Sequence, residues 1–246
     1  MMSRRDLLAL TGAAVLSGPV RATERRVEAI GFDAFTIFNP RTANEAVEAL
    51  LPDRGEELTA LWRTKQFDYC WLRTLNRRYA DFHQVTADAL TFAANTLKIE
   101  LSGRQRSELI EAFLQVKPWP DSATALTRMR NAGVRLAYLS NLTVPMLKAN
   151  SEAAGILPLF EGFLSTDRVE AYKPDPRAYA MGEAGFGLPK EAILFAAFGG
   201  WDAAGAKSYG LKTFWVNRFG LPPEELGVRP DGVGQTLTDL ADYVSA

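Results

Sequence analysis

Two aspartates and one lysine are the residues of this chain best suited to covalent chemistry. Asp33 follows the apolar run 27–32, and Asp202 comes shortly after the apolar run 192–197. Lys173 lies between them in the chain. An ionised carboxylate can attack carbon as a nucleophile, and a neighbouring ammonium group keeps carboxylates ionised. We therefore predict nucleophilic attack by Asp33, with Lys173 and Asp202 as its electrostatic partners.

Each of these residues also has a purely structural explanation. Asp33 could end a strand or cap a loop, Lys173 could be a surface lysine, and Asp202 could cap a helix. Ser140 and Asn141 follow a further apolar run and could cap the next helix. Polar groups at the ends of several successive strands favour one shared site over separate structural roles.

The elements that must hold these residues form an alternating pattern of strands and helices. Such alternation predicts an α/β fold, a Rossmann-like doubly wound parallel sheet with helices on both faces. The carboxyl ends of parallel strands meet at one edge, where ligands bind. The expected strands are 27–32, 134–139, 160–165, 192–197 and, as the last clear one, 212–216.

A long segment without strand patterns interrupts this alternation. Residues 41–117 carry almost only helical periodicity, which predicts an inserted all-helical cap domain. The core would then consist of residues 23–40 and 118–246. The expected cap helices are 43–51, 56–79, 86–97 and one that starts at the capping box of Ser102 and Gln105.

The first 22 residues are typical of an export signal. Arg4 and Arg5 precede the apolar stretch 7–20, and a cleavage-site pattern ends at Ala22. The apolar stretch is short for a membrane span, and paired arginines indicate the twin-arginine route. We expect a periplasmic mature protein without a membrane anchor; the alternative is a cytoplasmic protein with a basic N-terminus.

Composition excludes several classes of function. The formal net charge is -1 over 246 residues, so nucleic acid is not an expected partner. Cys70 is the only cysteine and His83 the only histidine. The chain therefore has no internal disulfide and no Cys/His cluster for zinc, and nothing around His83 indicates catalysis.

Four short motifs and two cap segments are similar to those of one known superfamily. The motifs surround Asp33, Ser140, Lys173 and Asp202, and the cap segments are 61–69 and 71–73. The chain resembles the haloacid dehalogenase superfamily, and within it the type II 2-haloacid dehalogenases.

The resemblance implies a mechanism and a set of binding residues. Asp33 would displace halide from a small (S)-2-haloacid with inversion, and water would hydrolyse the resulting ester to a 2-hydroxy acid. Lys173 would stabilise the Asp33 carboxylate, and Asp202 would position Lys173 or the water. No cofactor is implied. The expected binding residues are Ser140 for the substrate carboxylate, Arg63, Asn141 and Phe82 for halide, Phe35 and Trp201 for the apolar wall, and Thr36 and Tyr179.

Phosphatases of the superfamily need carboxylates that this chain lacks. They carry a second aspartate where this chain has Phe35, and an acidic magnesium ligand where it has Phe198-Gly199-Gly200. Because Mg²⁺ prefers carboxylate oxygens, we expect no metal and no phosphatase activity.

Two departures from the dehalogenase pattern leave an alternative open. Ala197 and Gly199 stand where dehalogenases usually have Ser and Asn, and the first motif lacks the Gly that usually precedes Thr36. Turnover could be impaired, which would leave a periplasmic binder of small carboxylates. The aromatic-rich cap could support a homodimer.

Overall fold

The computed structural model describes residues 27–246. The predicted export signal, residues 1–22, lies outside this range. Within the range, none of the helices has the length and apolarity that a bilayer crossing requires.

A six-stranded sheet forms the core, and all its neighbouring strands are parallel. The strands are β1 (Ala29–Phe32), β2 (Arg135–Ser140), β3 (Gly162–Ser165), β4 (Ile193–Ala197), β5 (Lys212–Val216) and β6 (Gly232–Gly234). Their order in the sheet is β3-β2-β1-β4-β5-β6, so β1, which directly precedes Asp33, lies in the middle.

Helices cover both faces of the sheet, as the alternating pattern predicts. Successive strand residues point to opposite faces: Ile30 and Phe32 belong to one apolar cluster, and Ala29 belongs to the other. The core helices are α1 (Ala34–Ile37), α6 (Ser122–Asn131), α7 (Val144–Ala153), α8 (Pro176–Phe186), α9 (Gly200–Tyr209) and α10 (Leu237–Ser245).

An all-helical segment lies between α1 and α6. It contains α2 (Arg41–Leu50), α3 (Gly55–Leu75), α4 (Phe82–Leu97), α5 (Gly103–Glu111) and a 3-10 turn (Ala112–Leu114). The two chain segments that connect it to the core run side by side. Asn39 N donates to Lys117 O at 2.8 Å, and Trp119 N donates to Ile37 O at 2.9 Å.

Several element boundaries differ from the sequence prediction. The long cap helix ends at Leu75 rather than residue 79, and α4 starts at Phe82 rather than residue 86 because Asp81 caps it. Helix α9 starts at Gly200, so Asp202 lies in its first turn. Strand β6 and helix α10 were not predicted at all.

Candidate active site

Lys173 lies between two carboxylates at the carboxyl edge of the sheet. Its Nζ donates to Asp33 Oδ2 at 2.7 Å and to Asp202 Oδ2 at 2.6 Å. Lys173 is fully buried, Asp202 is 1% exposed, and Asp33 is 9% exposed. The sequence prediction that strand ends bring these three residues together is therefore correct. Of the three, Asp33 is the most accessible to a ligand.

Backbone geometry fixes the orientation of Asp33. The residue directly follows β1, and its N–H donates to Ala196 O in β4 at 2.9 Å. Its side chain caps α1, because Oδ1 accepts from Phe35 N at 2.8 Å. Each carboxylate oxygen thus has one donor, Phe35 N or Lys173 Nζ. Both donors would remain in place to stabilise negative charge that develops on this group during a reaction.

Asp202 is held by Lys173 on one side and by Tyr179 on the other. The Tyr179 hydroxyl donates to Asp202 Oδ1 at 2.7 Å. Burial raises the pKa of Asp202 to about 6, although Lys173 and Tyr179 act in the opposite direction. Burial also opposes the charged form of Lys173, but the two carboxylates outweigh it and raise the lysine pKa above its usual value.

A cavity of about 220 Å³ opens above Asp33, between the strand ends and the cap. Eight of the residues that the sequence associates with catalysis or binding line it: Asp33, Phe35, Arg63, Phe82, Ser140, Asn141, Trp201 and Asp202. The cavity therefore brings residues of α3 and α4 in the cap to the strand ends of the core.

Thr36 and Tyr179 do not belong to this lining, which corrects their assignment as substrate-binding residues. Thr36 is fully buried, and its hydroxyl donates to Asp33 O at 2.7 Å. Tyr179 is fully buried behind Asp202. Both side chains point at the backbone or carboxylate of a predicted catalytic residue, so they position Asp33 and Asp202 instead of contacting a ligand.

Arg63 is a cation without a counterion in the part of the chain that the structure describes. It lies on α3 and lines the cavity, and no side chain or backbone group there forms a hydrogen bond or ion pair with it. Burial, and after it the nearby charge of Arg41, lowers the pKa of Arg63. An unpaired guanidinium in a largely closed cavity is suited to an anion.

Ser140 and Asn141 follow β2 and line the same cavity. Ser140 Oγ accepts from Leu142 N at 3.2 Å, and Asn141 Oδ1 accepts from Lys173 N at 3.1 Å. The Ser140 hydroxyl hydrogen and the Asn141 amide hydrogens have no acceptor among residues 27–246. These donors are therefore available to a carboxylate or halide in the cavity.

Aromatic side chains of the cap contact the core next to Lys173. Trp71 Nε1 donates to Lys173 O at 3.2 Å. The ring of Trp201 contacts both Phe67 and Trp71 edge-on, each at a centroid distance of 5.6 Å. Trp201 is thus a core residue whose position is set by two cap residues.

Comparison with known proteins identifies the fold and the family. A family model described as haloacid dehalogenase-like hydrolase matches residues 15–210. This chain belongs to the haloacid dehalogenase-like hydrolases.

Relatives of this hydrolase include named dehalogenases of similar length. Haloacetate dehalogenase H-2 of Moraxella sp. (strain B) is 38% identical, over 84% of this chain and 93% of the relative. An (S)-2-haloacid dehalogenase of Pseudomonas sp. (strain YL) is 40% identical, over 83% of this chain and 89% of the relative.

Solved structures of L-2-haloacid dehalogenases have the same fold as this hydrolase. One superposes with a TM-score of 0.88 at 38% identity and covers 90% of this chain and 100% of its own. The enzyme from Xanthobacter autotrophicus, solved with chloropropionic acid covalently bound, superposes with a TM-score of 0.83 at 32% identity and covers 89% of this chain and 99% of its own.

Two positions at which this hydrolase departs from the usual dehalogenase motif, Ala197 and Gly199, lie at and just after the end of β4. Ala197 is fully buried at the end of β4. Gly199 lies under the Trp201 indole, and a Cβ there would come within 2.7 Å of Trp201 Nε1. The indole therefore takes space that a side chain at position 199 would need.

One wall of the cavity is formed by the segment after β5 and was not predicted from the sequence. It contributes Asn217, Arg218, Phe219, Leu221 and Glu224. The signal was present, because residue 217 directly follows a parallel strand and so reaches the same edge as Asp33.

Within residues 27–246, no three His, Cys, Asp or Glu side chains are grouped so that they could hold a metal ion. Near Asp33, the position that phosphatases use for a second aspartate carries the ring of Phe35, which lines the cavity. The donors around the cavity are nitrogens and hydroxyls, which suit an anion better than a cation.

Proposed function

We propose that this enzyme hydrolyses small (S)-2-haloacids to 2-hydroxy acids through an ester on Asp33. The observation that carries the proposal is the buried Asp33–Lys173–Asp202 arrangement beneath a cavity with an unpaired Arg63. The names of the relatives support the reaction class, and the covalent chloropropionate structure of one of them supports the ester.

In the first step, a carboxylate oxygen of Asp33 attacks C2 of the substrate, and the halide leaves with the bonding electron pair. Attack from the side opposite the halogen inverts the configuration at C2. Arg63, Asn141 and Phe82 would hold the departing halide, since two of them present unpaired N–H groups to the cavity. Ser140 and neighbouring N–H groups would hold the substrate carboxylate.

In the second step, water attacks the carboxyl carbon of the Asp33 ester. The bond between this carbon and the ester oxygen breaks, the 2-hydroxy acid leaves with that oxygen, which came from Asp33, and one proton is released. Phe35 N and Lys173 Nζ stabilise the oxyanion of the tetrahedral intermediate. Asp202 keeps Lys173 in place, because both of its oxygens are occupied by Lys173 and Tyr179.

The binding-only and phosphatase alternatives are not favoured. Relatives that are 38% and 40% identical to this chain have dehalogenase names. Trp201 fills the space left by the side chain missing at Gly199, so the cavity wall is continuous there. A phosphatase would need carboxylate ligands for Mg²⁺, and Phe35 and Gly199 provide none.

Halide release from both enantiomers of 2-chloropropionate tests the proposal. Wild type should release chloride from the (S) form, and Asp33→Asn should not. Asp175→Asn is the matched control, because Asp175 lies just after Lys173 but pairs with Arg177 at the surface. Chloride release by Asp33→Asn, or none by wild type, would contradict the proposal.

We further propose export by the twin-arginine route to the periplasm, a mature form without a membrane anchor, and a homodimer. The paired arginines and the short apolar stretch of residues 1–22 support export. Cell fractionation of wild type and an Arg4→Lys/Arg5→Lys variant tests export. Light scattering of the mature protein tests the dimer.

A further inference from the structure

The cavity above Asp33 continues outward along a row of aromatic rings. Phe35 and Phe198 have ring centroids 6.0 Å apart, and Phe198 and Phe219 have centroids 5.7 Å apart. All three rings line the cavity. The row begins two residues after Asp33 and ends at the half-buried Phe219, so it connects the reacting centre to the surface. We call this extension, with Leu221, Gly199 and Gly200, the aromatic arm.

Two glycines, Gly199 and Gly200, line the cavity together with these rings. A Cβ on Gly200 would lie 3.0 Å from Glu224 Cγ and 3.4 Å from Trp215 Cζ2, so a side chain there would enter the arm or displace Glu224. Leu221, which is 56% exposed, lies at the outer end of the arm. The walls of the arm are therefore apolar along most of their length.

The polar groups of the aromatic arm are mostly engaged within the protein. Arg218 donates to Asp121 Oδ1 at 2.8 Å and to Thr36 O at 2.7 Å, and only its Nε lacks a partner. Asn217 exchanges two hydrogen bonds with the backbone of Leu221. The exposed carboxylate of Glu224 has no partner among residues 27–246. The guanidinium of Arg41 lies 3.9 Å from the centre of the Phe219 ring, so the outer end of the arm carries charges of both signs.

We infer that the aromatic arm binds an apolar chain on the substrate, so that the enzyme acts on 2-halo monocarboxylic acids with extended alkyl chains. The inference rests on the proposed function and specifies its substrate class. Each methylene that enters the arm leaves water and contacts aromatic rings, which stabilises the bound state. Phe219, Leu221 and Gly200 determine chain-length specificity. Among residues 27–246, no hydrogen bond joins any of the three to the side chain of Asp33, Lys173 or Asp202.

A second apolar groove lies behind Trp201 and offers a matched control. It is lined by Trp71, Leu75, Pro174 and Leu226, and Trp201 separates it from the cavity. Leu226 is 60% exposed, similar to Leu221, and both lie in the segment after β5. Changing either leucine to Glu places one charge at a comparable surface position, but only Leu221→Glu places it in the arm.

The test measures kcat/KM for the (S)-2-chloro acids of three, four, five and six carbons. For wild type we expect a rise of about fourfold per methylene. Leu221→Glu should abolish this rise, because it places a charge where the alkyl chain would lie. Leu226→Glu should keep the wild-type slope. A flat or falling wild-type series, or the same slope in wild type and Leu221→Glu, would overturn the inference.

Binding of acids without halogen separates this inference from the proposed reaction. Calorimetry with propionate and hexanoate needs no turnover. Wild type should bind hexanoate more tightly than propionate, because the three additional methylenes enter the arm. Equal binding of propionate and hexanoate by wild type would overturn the inference even if halide is released. Absence of halide release from every acid would overturn only the proposed reaction.

Discussion

The indole of Trp201 occupies the space that a side chain at position 199 would need. A Cβ on Gly199 would lie 2.7 Å from Trp201 Nε1 and 3.1 Å from Cδ1. Phe67 and Trp71 contact the same indole edge-on, so displacement of the ring would disturb these contacts. The glycine and the tryptophan therefore form a matched pair in the cavity wall.

This pair predicts the effect of Gly199→Ala. The added methyl should displace the indole, lower stability by about 1–3 kcal/mol and lower kcat/KM by about 10- to 100-fold. Thermal unfolding and halide release measure both effects. Gly103→Ala is the control, since nothing lies within 4 Å of an added Cβ there. A loss of stability and activity in the Gly103 variant but not in the Gly199 variant would contradict the proposed fit between Gly199 and Trp201.

Removal of the Tyr179 hydroxyl should change the pH profile. The hydrogen bond from Tyr179 lowers the pKa of Asp202, which burial has raised to about 6. Tyr179→Phe should raise this pKa further, by about one unit, and move the acidic limb of kcat/KM to higher pH. The variant should lose stability mainly above pH 6, where wild-type Asp202 is ionised, and less at lower pH. Tyr209→Phe, whose hydroxyl pairs with Glu183, should leave the limb in place. An unshifted limb in Tyr179→Phe would exclude the positioning role.

Removal of the ammonium group should destabilise the core. Lys173→Met leaves Asp33 and Asp202 buried side by side without their cation, so we expect a loss of about 3–5 kcal/mol at pH 7. The loss should be smaller near pH 4, because protonation removes the repulsion. Urea unfolding measures it. Lys207→Met is the control, because its pair with Asp231 is partly exposed and contributes about 1 kcal/mol or less. Equal losses in both variants would contradict the buried arrangement.

Arg63 and Arg73 lie on the same cap helix and should respond in opposite ways. Arg63→Leu removes an unpaired guanidinium, so stability should be unchanged or slightly higher, while halide release should fall by about 100-fold. Arg73→Leu breaks an ion pair with Asp88, whose closest atoms are 2.6 Å apart, and should lower stability by up to about 1 kcal/mol with activity retained. Chloride should stabilise wild type and Arg73→Leu but not Arg63→Leu. Chloride stabilisation of Arg63→Leu would contradict the halide role.

The sheet and the catalytic centre were predictable because simple rules govern them. Parallel strands end at one edge, and this rule alone brought Asp33, Ser140 and Asp202 to one cavity. The capping box at Ser102 also forms as expected. Here local sequence and tertiary structure favour the same geometry.

The features that were not predicted fall into two groups: some depend on tertiary packing or lack a sequence pattern, and others had a sequence signal that was missed. The role of Tyr179 depends on the packing of α8 against α9, which turns its hydroxyl toward Asp202 instead of the cavity. Strand β6 has only three residues, two of them glycines, so it lacks an apolar pattern. Helix α10 had a readable signal in the Thr236 capping box with Asp239. The start of α4 at Phe82 was likewise readable from the Asp81 cap.

Isotope labelling is the most direct test of whether Asp33 becomes covalently attached to the substrate. One turnover of (S)-2-chloropropionate in heavy-oxygen water, with enzyme in excess, is followed by mass analysis of the Asp33 peptide and of the lactate. We expect heavy oxygen in the Asp33 peptide and an unlabelled 2-hydroxyl group in the product. Heavy oxygen in the product hydroxyl, with an unlabelled Asp33 peptide, would contradict it.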